Sequence, residues 1–107
     1  MRDRWASLGW ERGPLGYPVT DELTTPDGRG RYTHFQYGSI YWTPQTGAHE
    51  VYGSIRNSWA ASGWERGPLG YPTSGEYTPA PGQRRSNFER GHILWNARDG
   101  RTITVLH

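Results

Sequence analysis

The stretch Trp5–Pro18, WASLGWERGPLGYP, recurs as Trp59–Pro72, WAASGWERGPLGYP, with changes only at Ser7/Ala61 and Leu8/Ser62. The match runs on through Glu22/Glu76, Phe35/Phe88, Gly38/Gly91, Ile40/Ile93, Trp42/Trp95 and Gly47/Gly100, one residue shorter between Glu76 and Phe88. A repeat of this kind decides the architecture before any residue-level reading, because each copy must fold alike. Residues 1–53 make the first unit, its helix cut at the start, and residues 54–107 make the second. Neither is long enough to bury a stable core alone, so the two are expected to share one. An isolated pair of repeats is also expected to associate weakly with further copies.

That core has to be aromatic. Mean hydropathy is −0.91 and only 33% of residues are hydrophobic, yet the chain carries 6 Trp and 7 Tyr. Large rings remove far more area from water than Val or Ala would. With 15 Gly and 8 Pro the backbone turns often, and the rings argue for a loop-rich fold rather than disorder.

Each unit reads as a short helix, a loop and an antiparallel β-hairpin, giving an α+β fold of two tandem repeats. In the second unit Ser54 is the expected N-cap of a helix from Ile55 to Ser62, with Ile55 and Trp59 on one face. Gly63 stands where a left-handed C′ residue is wanted, and Trp64 where an apolar residue folds back on the last turn. Pro14, Pro18, Pro68 and Pro72 forbid helix beyond and stiffen an extended loop. Strands are expected at 31–37, 39–43 and 48–52, turning at 44–47, and again at 87–90, 92–96 and 101–106, turning at 98–100. Alternation puts Ile40 and Trp42 on the core face and Tyr41 on the opposite one. Trp5, Trp42, Trp59 and Trp95 are expected in the core.

The net charge of +2 comes from 12 basic and 10 acidic side chains spread along the chain, with no basic stripe for nucleic acid. Arg84 and Arg85, the densest basic spot, are expected in a solvated loop. The absence of Cys excludes disulfides and thiolate metal sites. No apolar run approaches the roughly 20 residues of a membrane span. The start, Met1–Trp5, lacks the apolar core of a signal peptide, so export is expected to use a signal outside this chain or another route.

Sugar rings stack their C–H faces on aromatic planes while their hydroxyls seek fixed donors and acceptors. Trp10-Glu11-Arg12 and Trp64-Glu65-Arg66 offer that grouping twice, in loops held by Gly and Pro. The competing reading pairs each Glu with its Arg, or uses them to cap loop backbone. On the hairpin, His34, Gln36 and Tyr41 form a polar and aromatic face that lines a groove or is simply solvated. Glu22 and Glu76 read as structural acceptors of backbone N–H groups.

Catalysis is poorly supported. The four His show no metal-ligand spacing, Ser and His lack a nucleophile elbow, and no cofactor or metal is implied. A carboxylate pair from Glu11/Glu65 or Glu22/Glu76 across the two units is the one enzymatic arrangement left open.

Pro14-Leu-Gly-Tyr-Pro18 and Pro68-Leu-Gly-Tyr-Pro72 resemble the signature of the LGFP repeat family, with Tyr for the name-giving Phe; the resemblance implies that Tyr17 and Tyr71, at that Phe position, serve as apolar packing. Gly38-Ser-Ile-Tyr-Trp42 and Thr46-Gly-Ala-His49 are similar to its hairpin; the second copy departs at Leu94, Arg101 and Thr102. The resemblance implies a non-catalytic module of secreted or wall-associated proteins from mycolic-acid-bearing actinobacteria, or of the lytic enzymes of phages that attack them. It implies attachment to an envelope polysaccharide, arabinogalactan, with a linked catalytic domain as partner. The alternative is a structural or protein-interaction module that packs on a partner domain or on itself.

Overall fold

The computed structural model describes residues 2–107; Met1 and the side chains of Arg2 and Trp10 lie outside the described residues. Helix α1 (Arg2–Ser7) precedes a first antiparallel sheet of β1 (Leu23–Thr24), β2 (Arg31–His34), β3 (Gly38–Thr43) and β4 (Gly47–Tyr52), in that spatial order. Helix α2 (Gly53–Ala61) leads to a second sheet of β5 (Gln83–Phe88), β6 (Gly91–Asn96) and β7 (Thr102–Leu106). Each unit is thus the expected helix, loop and three antiparallel strands, with the short β1 added at the edge of the first sheet.

The repeated Leu-Gly pair explains why both loops close identically. Leu15 and Leu69 are fully buried, each against the glycine that opens the central strand. A Cβ on Gly38 would sit 2.5 Å from Leu15 Cδ2, and one on Gly91 2.8 Å from Leu69 Cδ2. Gly16 and Gly70 then turn the chain at φ +77° and +76°, where a side chain is strained. Their carbonyls accept the indole N–H of Trp5 (3.2 Å) and Trp59 (3.1 Å). The motif therefore ties helix, loop and sheet together by one leucine and one hydrogen bond.

Helix α2 ends as its sequence foretells. Gly63 is left-handed (φ 111°), its N–H reaches Ala60 O at 3.1 Å, and the Trp64 ring meets the Trp59 ring edge-on at 5.4 Å. Its start differs: Tyr52, the last residue of β4, holds the N-cap position without a side-chain cap, and Ser54 lies inside the helix. The strand runs straight into the helix with the turn at Gly53 (φ 64°), leaving no room for a separate capping residue. Strand β5 begins at Gln83, so Arg84 and Arg85 lie on a strand and not in a solvated loop. The last strand is set by pairing Leu94 with Ile103 and Trp95 with Thr102.

Helix α2 packs on both sheets, and the main core gathers around it. Tyr41 and Val51 come from the first sheet, Phe88 and Ile93 from the second, Ile55 and Trp59 from the helix, and Leu69 and Tyr71 from the loop. A smaller cluster of Leu15, Phe35 and Ile40, flanked by Trp5 and Tyr52, closes the first unit. Of the four Trp expected in the core, Trp59 is fully buried, whereas Trp5, Trp42 and Trp95 are half-buried.

Tyr41 is the main correction to the strand reading. It does stand opposite Ile40, but it is buried too, because the second unit covers that face of β3. The equivalent strand β6 keeps its alternation, and Leu94 in the matching position is half-buried. The two tyrosines of the repeated motif diverge for the same reason. Tyr17 is 57% exposed, while Tyr71 is fully buried and its hydroxyl is not idle. It donates to Asp27 Oδ1 at 2.7 Å and lies 2.9 Å from Thr25 Oγ1, both in the β1–β2 loop of the first unit. Arg29 of that loop stands 5.0 Å over the Tyr71 ring and makes two hydrogen bonds to the Glu89 carboxylate, at 2.9 and 3.2 Å.

Candidate functional site

Covering one face of the first hairpin with the second unit leaves a cleft of about 480 Å³ along the seam. One wall is strand, with Tyr32, His34 and Tyr41; the other is the helix-to-loop turn Ser62–Gly67, carrying Trp64, Glu65 and Arg66; Pro26 closes one side. Tyr32 and Tyr41 are register partners on β2 and β3 and stack at 5.0 Å with planes 10° apart. Trp64 continues the stack at 6.1 Å from Tyr41 and lies 5.5 Å from the His34 ring. The Arg56 guanidinium sits 5.1 Å from the Trp64 ring centre and bonds Ser39 Oγ at 3.0 Å; His34 Nδ1 meets the same hydroxyl at 2.6 Å.

Trp64 reaches this place through its backbone. It has φ 59°, the one positive value on a non-glycine residue among those described. Such a conformation costs of the order of 1 kcal/mol or more and persists only where its surroundings hold it. Here the ring contacts with Trp59 and Tyr41 and the Arg56 cation do so.

The electrostatics separate one buried acid from its neighbours. Burial pushes the Glu65 carboxyl above its ordinary value, its own backbone N–H and Arg66 offset this in part, and the Asp27 charge adds to the rise. Slight burial also pushes Asp27 up, but hydrogen bonds from the Arg29 amide and the Tyr71 and Thr25 hydroxyls, with the Arg29 charge, outweigh it and hold that carboxyl low. Burial first, then the Arg56 charge, lowers His34, so at neutral pH its ring is an uncharged hydrogen-bonding group. Burial and the Glu65 charge raise Tyr41, which stays a phenol. The cleft therefore combines half-buried aromatic rings with a carboxyl acceptor, an exposed guanidinium and a neutral imidazole.

Of the residues singled out in sequence, Trp64, Glu65, Arg66, His34 and Tyr41 converge here. Gln36 does not: its Oε1 accepts the Tyr17 N–H at 3.0 Å, as Glu89 does for Tyr71 at 3.1 Å. Glu11 and Arg12 are exposed on the matching 3-10 turn of the first unit, away from this cleft, and the Trp10 side chain lies outside the described residues. Among the described residues, no loop N–H group donates to Glu22 or Glu76, contrary to expectation. Each faces an arginine of its own unit, Arg31 at 3.6 Å and Arg84 at 3.3 Å. Sequence reasoning passed over Tyr32, though it stands two residues before His34 on the same strand face, and over Arg56, which carried no signal.

Comparison with known proteins bears on kinship. No curated protein matches the chain. The family model for the LGFP repeat matches residues 15–67 and again residues 69–105, each match opening on the buried leucine of the repeated loop. The chain belongs to the LGFP repeat family.

Proposed function

We propose that this chain is a non-catalytic anchoring module that holds a linked protein on a cell-wall polysaccharide, with arabinogalactan of mycolic-acid-bearing actinobacteria as its ligand. The seam cleft carries this reading: half-buried Tyr32 and Trp64 rings beside Glu65, Arg66 and His34 make an apolar platform with donors and acceptors at its rim, as a sugar ring requires. A non-catalytic role fits the carboxylates. Asp27 is engaged by the Tyr71 and Thr25 hydroxyls and the Arg29 amide, and Glu22 and Glu76 by arginines. Weak contacts at each module gain residence on a polymer through effective concentration.

The test is co-sedimentation of the purified protein with insoluble wall cores of a mycolated actinobacterium, before and after mild acid strips the arabinogalactan, at low and high salt. Retention that survives salt and disappears with the polysaccharide supports the anchor. Equal retention on stripped and unstripped cores refutes arabinogalactan as ligand, and no retention on either refutes the anchor.

One observation favours a second reading, a packing module. The loop face that docks the second unit on the first through Tyr71 has its counterpart in the first unit, where Tyr17 and Tyr37 are 57% and 66% exposed. A partner domain or another copy seated there would raise the sedimentation-equilibrium mass, and Tyr17→Asp would return it to that of the monomer.

A further inference from the structure

A second cleft, of about 290 Å³, lies where the first unit hands over to the second, lined by Tyr52, Ile55, Glu76, Arg84 and Trp95 among others. Arg84 and Trp95 are cross-strand partners on β5 and β6. Arg84 Nη1 reaches Glu76 Oε2 at 3.3 Å. The Glu76 side chain is only 9% exposed against 49% for Arg84, and the Tyr52 hydroxyl bonds the same carboxyl. Gly53, Ser54 and Ile55, the first residues of α2, line the opposite wall, and no side chain caps that helix start. Its leading N–H groups are unpaired within the helix.

We propose that this cleft is a second saccharide subsite, taking one neutral sugar ring on Trp95, with Glu76 as hydroxyl acceptor and Arg84 and the α2 N–H groups as donors. The proposal rests on the polysaccharide reading above only for the class of ligand; its residues are separate from the seam cleft. Half-buried Trp95 supplies the apolar platform. Burial holds the Glu76 carboxyl above its ordinary value despite the Tyr52 hydrogen bond and the Arg84 charge, so an approaching hydroxyl meets an acceptor already stripped of much of its water. The same three residue types recur in the first unit as Glu22, Arg31 and Trp42, with Arg31 and Trp42 paired across strands. There the acid and base are 48% and 53% exposed, so the solvated set serves as an internal control. The second set becomes a cleft because Tyr52 and the start of α2 wall it in.

The experiment is a titration of the full chain, labelled with nitrogen-15, followed through the indole N–H signals of Trp95 and Trp64. The probes are oligosaccharides released from wall arabinogalactan by mild acid, and the methyl glycosides of arabinofuranose, galactofuranose and glucopyranose. The Trp95 signal is expected to move and saturate. Arg84→Met, with its remaining amide signals matching the parent's, is expected to weaken that response about fivefold or more, and Arg31→Met to leave it unchanged. Movement of Trp64 with Trp95 silent at saturation overturns this subsite and spares the seam cleft. Movement of Trp95 with Trp64 silent supports it and overturns the seam cleft. Silence of both overturns the two together, and an undiminished Trp95 response in Arg84→Met refutes the role given to the guanidinium.

Discussion

Replacing Tyr71 with Phe removes one oxygen from a fully buried ring and leaves the packing in place. That oxygen donates to Asp27 Oδ1 at 2.7 Å and touches Thr25 Oγ1 at 2.9 Å, so it is one direct polar link between the two units, beside the Arg29–Glu89 pair. A hydrogen bond to a charged acceptor contributes about 1.5–3 kcal/mol. Asp27 is itself exposed and keeps two other donors, so the low end applies, about 1.5 kcal/mol. For a domain of this size that lowers the unfolding midpoint by roughly 6–12 °C. Urea and thermal unfolding of Tyr71→Phe, Asp27→Asn and the double variant give the coupling directly, expected at about 1 kcal/mol. Tyr17→Phe, at an exposed ring of the same motif, should change stability by less than about 0.5 kcal/mol. The pH dependence has a fixed sign. The folded Asp27 carboxyl titrates below its unfolded value, so its contribution is whole above the ordinary carboxylate range and is lost as pH falls through the folded value. Additive single variants, or a Tyr17→Phe loss matching that of Tyr71→Phe, would refute the claim that this hydroxyl fastens the two units.

Three further outcomes follow from the same contacts. Glu65→Gln keeps an acceptor for its own N–H and removes a buried charge; because the folded carboxyl is raised above its unfolded value, the variant should melt a few degrees higher at pH 7, with the gain vanishing below about pH 4. Gly75→Ala places a Cβ 2.3 Å from Glu50 Oε2 and 2.7 Å from Arg4 Nη2, against an ion pair whose Arg4 Nε–Oε1 distance is 2.7 Å; urea unfolding should show a cost of about 1–3 kcal/mol, absent in Asp21→Ala at the exposed counterpart. Trp59→Phe leaves Gly70 O without its 3.1 Å indole donor and a void beside Phe88, costing about 2–4 kcal/mol, more than Trp5→Phe at the half-buried twin.

The sequence by itself determined what lies within one unit. The repeated Trp, Leu-Gly pair and strand-opening glycine interact across a few turns of chain. Their spacing therefore announced the helix, its end at Gly63, the fold-back of Trp64 onto Trp59 and the hairpins with their turns. Local steric rules act identically in both copies, so repetition was legible as architecture. The convergence of Trp64, Glu65, Arg66 and His34 was only half legible. The residue types were marked, but that His34 of one unit meets Trp64 of the next depends on how the units dock.

Tertiary structure alone decided what differs between the copies. Tyr17 and Tyr71 share every neighbour in sequence from Trp10/Trp64 to Pro18/Pro72, yet one is solvated and the other buried with its hydroxyl bonded. The second has the Thr25–Arg29 loop of a preceding unit to pack on. Tyr41 is buried on a face that alternation marks as outer, because α2 and its following turn cover that face. Glu76 is buried against Arg84 while Glu22 stays solvated beside Arg31, because Tyr52 and α2 wall in only the second pair. In each case burial is set by docking one unit on the other, and identical local sequence carries no record of which neighbour it will meet.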